Sequence, residues 1–206
     1  MNQEEVWDAI GKHWKEFRRE VSPTVEKFLS GKSGKILDVG CGSGRNLLCK
    51  EAGSGVQVTG ELKWYGIDFS SEMVRFAKER GYFEVLKGDV SELPYEDSFF
   101  DYVLFYAVLH CIDSEEKRKK SLKEIYRVLK RGGKVLISSW GRKSPRLKNK
   151  GKECFIPWSS RDEGEKIERY TYVYDLEELR KLVEEVGFEV LECWEERNVN
   201  LILRKK

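Results

Sequence analysis

Leu37-Asp38-Val39-Gly40-Cys41-Gly42-Ser43-Gly44 decides the fold. The apolar run Lys35 to Val39 reads as a buried strand, and it feeds a turn with glycine at every second position. Glycine lets a backbone turn tightly and lets a ligand lie against the main chain. A helix is predicted from Arg45 to Ala52, and its first N–H groups would be unsatisfied by the helix itself. A dinucleotide fingerprint would place its third glycine at position 45, where Arg45 stands. The observed spacing, with Asp38 two residues ahead of the first glycine, suits a nucleoside ligand without a pyrophosphate.

The pattern spreads in both directions from this turn. Upstream, Val6, Ile10, Trp14 and Phe17 recur at helical spacing, and Pro23 opens a second short helix. Downstream, residues 53–63 read as a glycine-rich insertion, followed by a strand over Trp64 to Asp68. Ser70 caps a helix that runs to about Arg80, with Gly81 as its stop. Phe83 to Leu86 and Phe100 to Ala107 are the next strands. Asp113 and Glu116 form a capping-box pattern ahead of a helix ended by Gly132-Gly133. Lys134 to Trp140 is a fifth strand, and residues 141–172 break the rhythm. Asp175 and Glu178 open a last helix stopped by Gly187, and two strands, Phe188 to Trp194 and Val199 to Leu203, close the chain. Strands alternating with helices predict a doubly wound α/β sheet, mostly parallel, with helices on both faces. The turn between the last two strands is too short for a crossover, so that pair is antiparallel.

Two acids compete to hold a ribose diol at the end of the second strand. Glu61 lies nearer the usual offset from the glycine turn. Asp68 ends the better strand and directly precedes a capped helix, so Asp68 is the choice here. Asp89, at the end of the third strand, can accept from an adenine amino group, with Val90 beside the ring.

Composition excludes several classes. The chain has 206 residues, 40% hydrophobic and 36% charged, with a net charge of +2. That length supports one domain with a real core. No apolar run of about 18 residues is present, so no membrane span is expected. The first residues lack the layout of a signal peptide. The five cysteines are scattered without a CxxC pair, which argues for a reducing, cytoplasmic setting and against a disulfide framework. Only His13 and His110 are histidines, so no metal site is expected.

LDVGCGSG, YGIDFSSEM, GDVSELPYEDSFFDYVL and LKEIYRVLKRGGKVLIS together resemble the class I S-adenosylmethionine-dependent methyltransferases, over roughly residues 35–140. The resemblance implies a Rossmann-like seven-stranded sheet with its last strand inserted antiparallel. It also implies S-adenosylmethionine as cofactor, bound by Asp38, Gly40, Cys41, Gly42, Gly44, Asp68, Phe69, Asp89 and Val90. FYAVLHCID, SSWGRK, FIPWSS and ERYTYVYDLEELRKLVEEVGFEV extend the similarity to the tRNA wobble-uridine carboxymethyl methyltransferases. These include the methyltransferase domain fused to an AlkB-type dioxygenase. Where that family tends to carry paired histidines, this chain has His110-Cys111. Members are commonly partnered with a small zinc-binding activator protein that adds a strand to the sheet, which points to Phe99, Phe100, Tyr102 and the third strand.

The expected layout is then one methyltransferase domain over 1–206. N-terminal helices occupy 1–33, the cofactor-binding core 35–140, a basic and aromatic substrate insert 141–172, and a helix with a β-hairpin 173–206. The insert begins GRKSPRLKNKGK, six cations without an acid. Arg142, Lys143 and Arg146 are therefore candidates for RNA phosphates. Trp140, Trp158, Tyr170 and Tyr172 are candidates to stack on an unpaired base. Arg45 and His110 are candidates to contact substrate or cofactor, His110 by positioning the acceptor. A carboxylate acceptor is already ionised at neutral pH, so the chemistry calls for alignment and not for a general base.

Overall fold

The computed structural model describes residues 1–17, 21–50, 61–158 and 167–206. Strands β1 (Gly34–Val39), β2 (Leu62–Asp68), β3 (Glu84–Lys87), β4 (Phe100–Tyr106), β5 (Leu129–Trp140), β8 (Phe188–Glu195) and β9 (Asn198–Lys205) build one sheet. Its order is β3-β2-β1-β4-β5-β9-β8. The first five pair in parallel, and β9 runs antiparallel to both β5 and β8. The last strand is thus inserted between β5 and an edge strand, as the resemblance implies. A separate antiparallel ribbon is formed by β6 (Glu153–Trp158) and β7 (Ile167–Tyr172).

Alternation along the strands sorts side chains to two faces. Leu37, Val103, Phe105, Val135 and Ile137 pack with α4 (Glu115–Val128) and α5 (Leu176–Val186), through Leu122, Ile125, Leu179 and Val183. Ile36, Trp64, Leu104 and Leu136 pack with α2 (Pro23–Leu29), through Val25, Phe28 and Leu29. Burial on both faces is why Val135-Leu136-Ile137 reads as an unbroken apolar run. Helix α1 (Gln3–Phe17) lies instead on α3 (Ser71–Lys78) and β7. Among the described residues no helix is long and apolar enough to cross a membrane.

Several boundaries differ from the sequence reading. Residues Arg45–Lys50 form a 3₁₀ turn, η1, and Ala52 lies outside the described residues. Of the predicted insertion 53–63, residues 53–60 also lie outside them, and β2 begins at Leu62. The cap of α4 is Ser114, whose hydroxyl accepts from the Lys117 N–H, so the Asp113–Glu116 box does not form. Helix α4 ends before Gly132-Gly133, because Leu129 is already extended and pairs with Phe100. The region that breaks the rhythm, 141–172, holds the β6–β7 ribbon.

Candidate functional site

The strand order reverses between β1 and β4, and a crevice opens there beyond the carboxyl ends of the strands. A cavity of about 590 Å³ occupies it, within the usual size of small-molecule sites. The Gly40–Ser43 turn, Asp68-Phe69, Asp89-Val90 and Ala107-Val108 contribute to its wall, together with Trp7 and Trp14 from α1.

Two glycines are required by geometry. Gly40 has φ +65°, and a Cβ there would stand 2.4 Å from Val108 Cγ2. Gly42 has φ +55°, and a Cβ there would meet nothing, because the backbone faces the open cavity. Asp68 is fixed beside this turn. The Gly42 N–H donates to its Oδ2 at 2.8 Å, and the Ser70 N–H donates to its Oδ1 at 3.0 Å. Each oxygen keeps a lone pair for a hydroxyl donor. Burial raises its pKa to about 6, against the pull of the Ser70 and Gly42 N–H groups.

Asp89 is set differently. Its Oδ1 accepts from the N–H and the hydroxyl of Ser91, both at 2.8 Å, and Lys117 Nζ lies 3.1 Å from its Oδ2. Partial burial opposes ionisation, but these three donors prevail and hold its carboxyl below the usual value. Arg45 also lines the cavity, and burial lowers its pKa against the pull of Tyr106 and Asp38.

Other candidates lie behind the wall. Asp38 is buried and does not face the cavity. Asn46 Nδ2 donates to its two oxygens at 3.0 and 3.2 Å, and the Tyr82 hydroxyl donates at 2.8 Å. Burial again raises the pKa to about 6, opposed by those two side chains. Asp38 therefore braces the turn through Asn46, which itself lines the cavity. At Gly44 a Cβ would point at Arg80 and Tyr82, away from the cavity. His110 is buried, stacked on Trp140 with ring centroids 4.9 Å apart, and its Nδ1 has no hydrogen-bond partner among the described residues. Burial, aided by the charge of Arg169, pushes its pKa down to about 3. The Cys111 thiol lines the cavity and is pushed up to about 12 by burial. Burial also raises the Cys41 thiol well above its usual value, which favours the protonated, weakly nucleophilic form of both thiols at neutral pH.

The basic insert is partly spent on its own surroundings. Arg142 donates to the Lys150 carbonyl and lies 3.8 Å from Asp175. Lys143 is 3.5 Å from Glu195, and Lys152 is 3.0 Å from Glu178. Arg146, Lys148 and Lys150 are exposed. Trp158 packs on Trp14 at 5.4 Å, inside an aromatic group and not on an open surface.

Sequence reasoning missed several contributors, Trp7 and Asn46 of the cavity wall among them. Ala107 lines the cavity with φ +64°, a strained value for a residue with a Cβ, held by its N–H bond to the Ser138 carbonyl. Asp8, Tyr82 and Arg169 act across the fold, and local spacing carries no sign of them.

The cavity fits an adenosine-type ligand on its own chemistry. A double acceptor suited to a diol, an open glycine turn and a second carboxylate at the rim are all present. The methyltransferase domain family matches residues 37–137. An Encephalitozoon cuniculi protein, whose name assigns it provisionally to the methyltransferases, is 31% identical over 97% of this chain and 93% of its own length. The tRNA (carboxymethyluridine(34)-5-O)-methyltransferase of Schizosaccharomyces pombe is 27% identical over 98% of this chain and 95% of its own. The Arabidopsis thaliana protein of the same name is 37% identical over 66% of this chain, which spans only 31% of that longer relative. Among solved structures, a Haloferax volcanii methyltransferase in complex with the Trm112 activator superposes with a TM-score of 0.68. It is 18% identical and covers 99% of this chain and 96% of its own, a likeness of fold.

Proposed function

The chain belongs to the methyltransferase family, and from that premise we propose that it esterifies the carboxymethyl group of a wobble uridine in tRNA. Bound S-adenosylmethionine supplies a methyl group activated by its sulfonium. Asp68 would hold the ribose hydroxyls, Asp89 and Val90 the adenine, and Arg45 would be the cation available to the amino-acid end. The Gly40–Ser43 turn would offer its open backbone to the nucleoside.

The near full-length likeness to the S. pombe enzyme carries the choice of acceptor. A carboxylate is already ionised at neutral pH and needs no general base. That suits the cavity end where burial lowers His110 to about 3 and raises Cys111 to about 12, which leaves these two groups ill suited to accept a proton. The walls then contribute alignment and exclusion of water. Among the described residues of the insert, Arg146, Lys148 and Lys150 are exposed cations available to meet RNA phosphates. A reducing cytoplasm suits the free thiols of Cys41, Cys111, Cys154 and Cys193.

We also propose a small zinc-binding activator on the β3 edge. Phe83 stands 61% exposed there, with Lys63 Nζ 3.3 Å from its ring centroid. Phe99 lies nearby against Tyr65. Phe100 is fully buried and Tyr102 packs under α2, so these two are not part of that surface.

Incubation with bulk tRNA and S-adenosylmethionine, digestion to nucleosides and mass spectrometry tests the acceptor. The expected product is carboxymethyluridine heavier by one methyl group. Methylation of a metabolite extract that survives ribonuclease, with tRNA unmodified, points to a small-molecule acceptor instead.

A further inference from the structure

A second cavity, of about 380 Å³, opens on the α2 face of the sheet, between α2 and the β8–β9 hairpin. Strand register relates it to the first. Tyr106 of β4 pairs with Ser138 of β5, Ser138 with Asn200 of β9, and Asn200 with Trp194 of β8. Residues paired across neighbouring strands project to the same face, so these four make one row across the sheet. Tyr106 at one end lines the cofactor cavity, and Trp194 at the other lines the second one. Three strand spacings, about 14 Å, separate their backbones. The start of α2 stands between the two spaces. Ser22 Oγ and the Tyr106 hydroxyl share a hydrogen bond of 2.8 Å, while Pro23 and Thr24 are wall of the second cavity.

Charge in this groove is divided between its two sides. Lys27, Lys32 and Lys134 line the side of α2 and β5, and Glu192 and Glu196 line the side of β8. Among the described residues none of the three ammonium groups forms an ion pair with a carboxylate. Lys32 donates instead to the Phe28 carbonyl and stands 4.5 Å from the Phe28 ring centroid. Burial, and then the charge of Lys134, lowers the Lys32 pKa. The lysines of α4 are treated otherwise: Lys117 pairs with Asp89, Lys119 with Glu115 and Lys120 with Glu92. Gathered cations beside a half-buried indole are the parts that bind a phosphate and a base together.

We propose that the groove between α2 and the β8–β9 hairpin seats a nucleotide flanking the acceptor in the substrate RNA, with its base on Trp194 and its phosphate among Lys27, Lys32 and Lys134. This rests on the tRNA reading above. The groove is too far from the cofactor cavity to hold the acceptor base itself, and near enough for the same strand to reach it. Glu192 and Glu196 repel a phosphate, so they keep it on the lysine side, and they can accept from the amino groups of a base. An indole stacks on any base, so this subsite adds affinity and fixes the strand's path without demanding one sequence. The acceptor is then held from two points, by the cofactor cavity and by its neighbour, which aligns it for transfer.

The test measures binding of free 5-carboxymethyluridine and of an RNA pentanucleotide with that residue at its centre, both with S-adenosylhomocysteine present. Wild type should bind the pentanucleotide far more tightly than the nucleoside. The double variant Lys27→Gln/Lys134→Gln should weaken the pentanucleotide about tenfold and flatten its log–log salt dependence by about one unit, as for lost phosphate contacts. Its affinity for the nucleoside and for S-adenosylhomocysteine should not change. Trp194→Ala should also weaken the pentanucleotide about tenfold, and Trp194→Phe should restore most of the loss. Unchanged affinity and salt slope in the lysine variant overturn the proposal, as does a wild-type pentanucleotide that binds no better than the nucleoside. If Trp194→Ala does not fold, the lysine variant decides, since Lys27 is exposed and Lys134 partly so. A polyglutamate peptide that binds as tightly as the pentanucleotide, with the same loss in the lysine variant, makes the groove a peptide site and also overturns it. If the pentanucleotide binds through the groove but is never methylated, the acceptor reading fails while the groove stands. If it is methylated and the groove variants match wild type, the reverse holds.

Discussion

Asp38 and Asp68 both have raised pKa values, and of the two Asp68 alone lines the cavity. Asp68 lines the cavity with each oxygen held by a backbone N–H, while Asp38 is closed off by Asn46 and Tyr82. Burial places each near 6. A diol needs an ionised acceptor, so cofactor affinity should hold above that value and fall as pH drops through it. Calorimetry from pH 5 to 8 measures this. Asp68→Asn should cost about 30-fold in affinity, roughly 2 kcal/mol for a charged hydrogen bond, and remove most of the pH dependence. His110 makes the opposite prediction. With its pKa near 3 it should show no NMR titration between pH 5 and 8, and His110→Phe, which keeps the stack on Trp140, should alter kcat by no more than a few-fold. Asp68 was legible because it closes a strand and precedes a cap. The bracing role of Asp38 was not, because its partner Tyr82 is 44 residues away.

Helix α1 is the element whose role least resembles its sequence signature. Its apolar stripe announces a packing helix, and it packs on α3 and β7, yet Trp7 and Trp14 of the same helix also line the cavity. Asp8 accepts from the Ser70 hydroxyl at 2.5 Å and from the Glu72 N–H at 3.2 Å, so α1 caps the start of α3. Gln3 Oε1 accepts from the Tyr170 N–H, tying the same helix to the ribbon. Asp8→Ala should therefore cost about 1–2 kcal/mol in denaturant stability, as for a lost cap. It should also speed hydrogen exchange in α1 and weaken cofactor binding several-fold. If cofactor affinity and α1 exchange are unchanged, α1 does not close the site. The parallel core was readable from strand–helix alternation. The β6–β7 ribbon was not, because lysine, glycine and proline crowd its approach and its apolar contacts are made to α1 and η2 (Leu109–Cys111) across the chain.

At the scale of the molecule, the proposed function draws on one edge of the sheet and one end of it. The β3 edge leaves Phe83 exposed, and an activator pairing there should raise soluble yield and activity on co-expression. Full activity of the chain alone, unchanged by the partner, would contradict that. The other end gathers the glycine turn, Asp68, Asp89 and the tryptophan-backed wall at the switch point between β1 and β4. Sequence order could name the turn and its acids, but only folding brings Arg169 of the ribbon behind Trp7 and Trp14 of the first helix. The proposed function requires that a carboxylate oxygen receive the methyl group. Labelled methyl transferred to tRNA should be released as methanol by mild alkali, in step with cleavage of an ester. Label that stays on the nucleoside after that treatment would mean transfer to a ring atom or a ribose hydroxyl, and would contradict it.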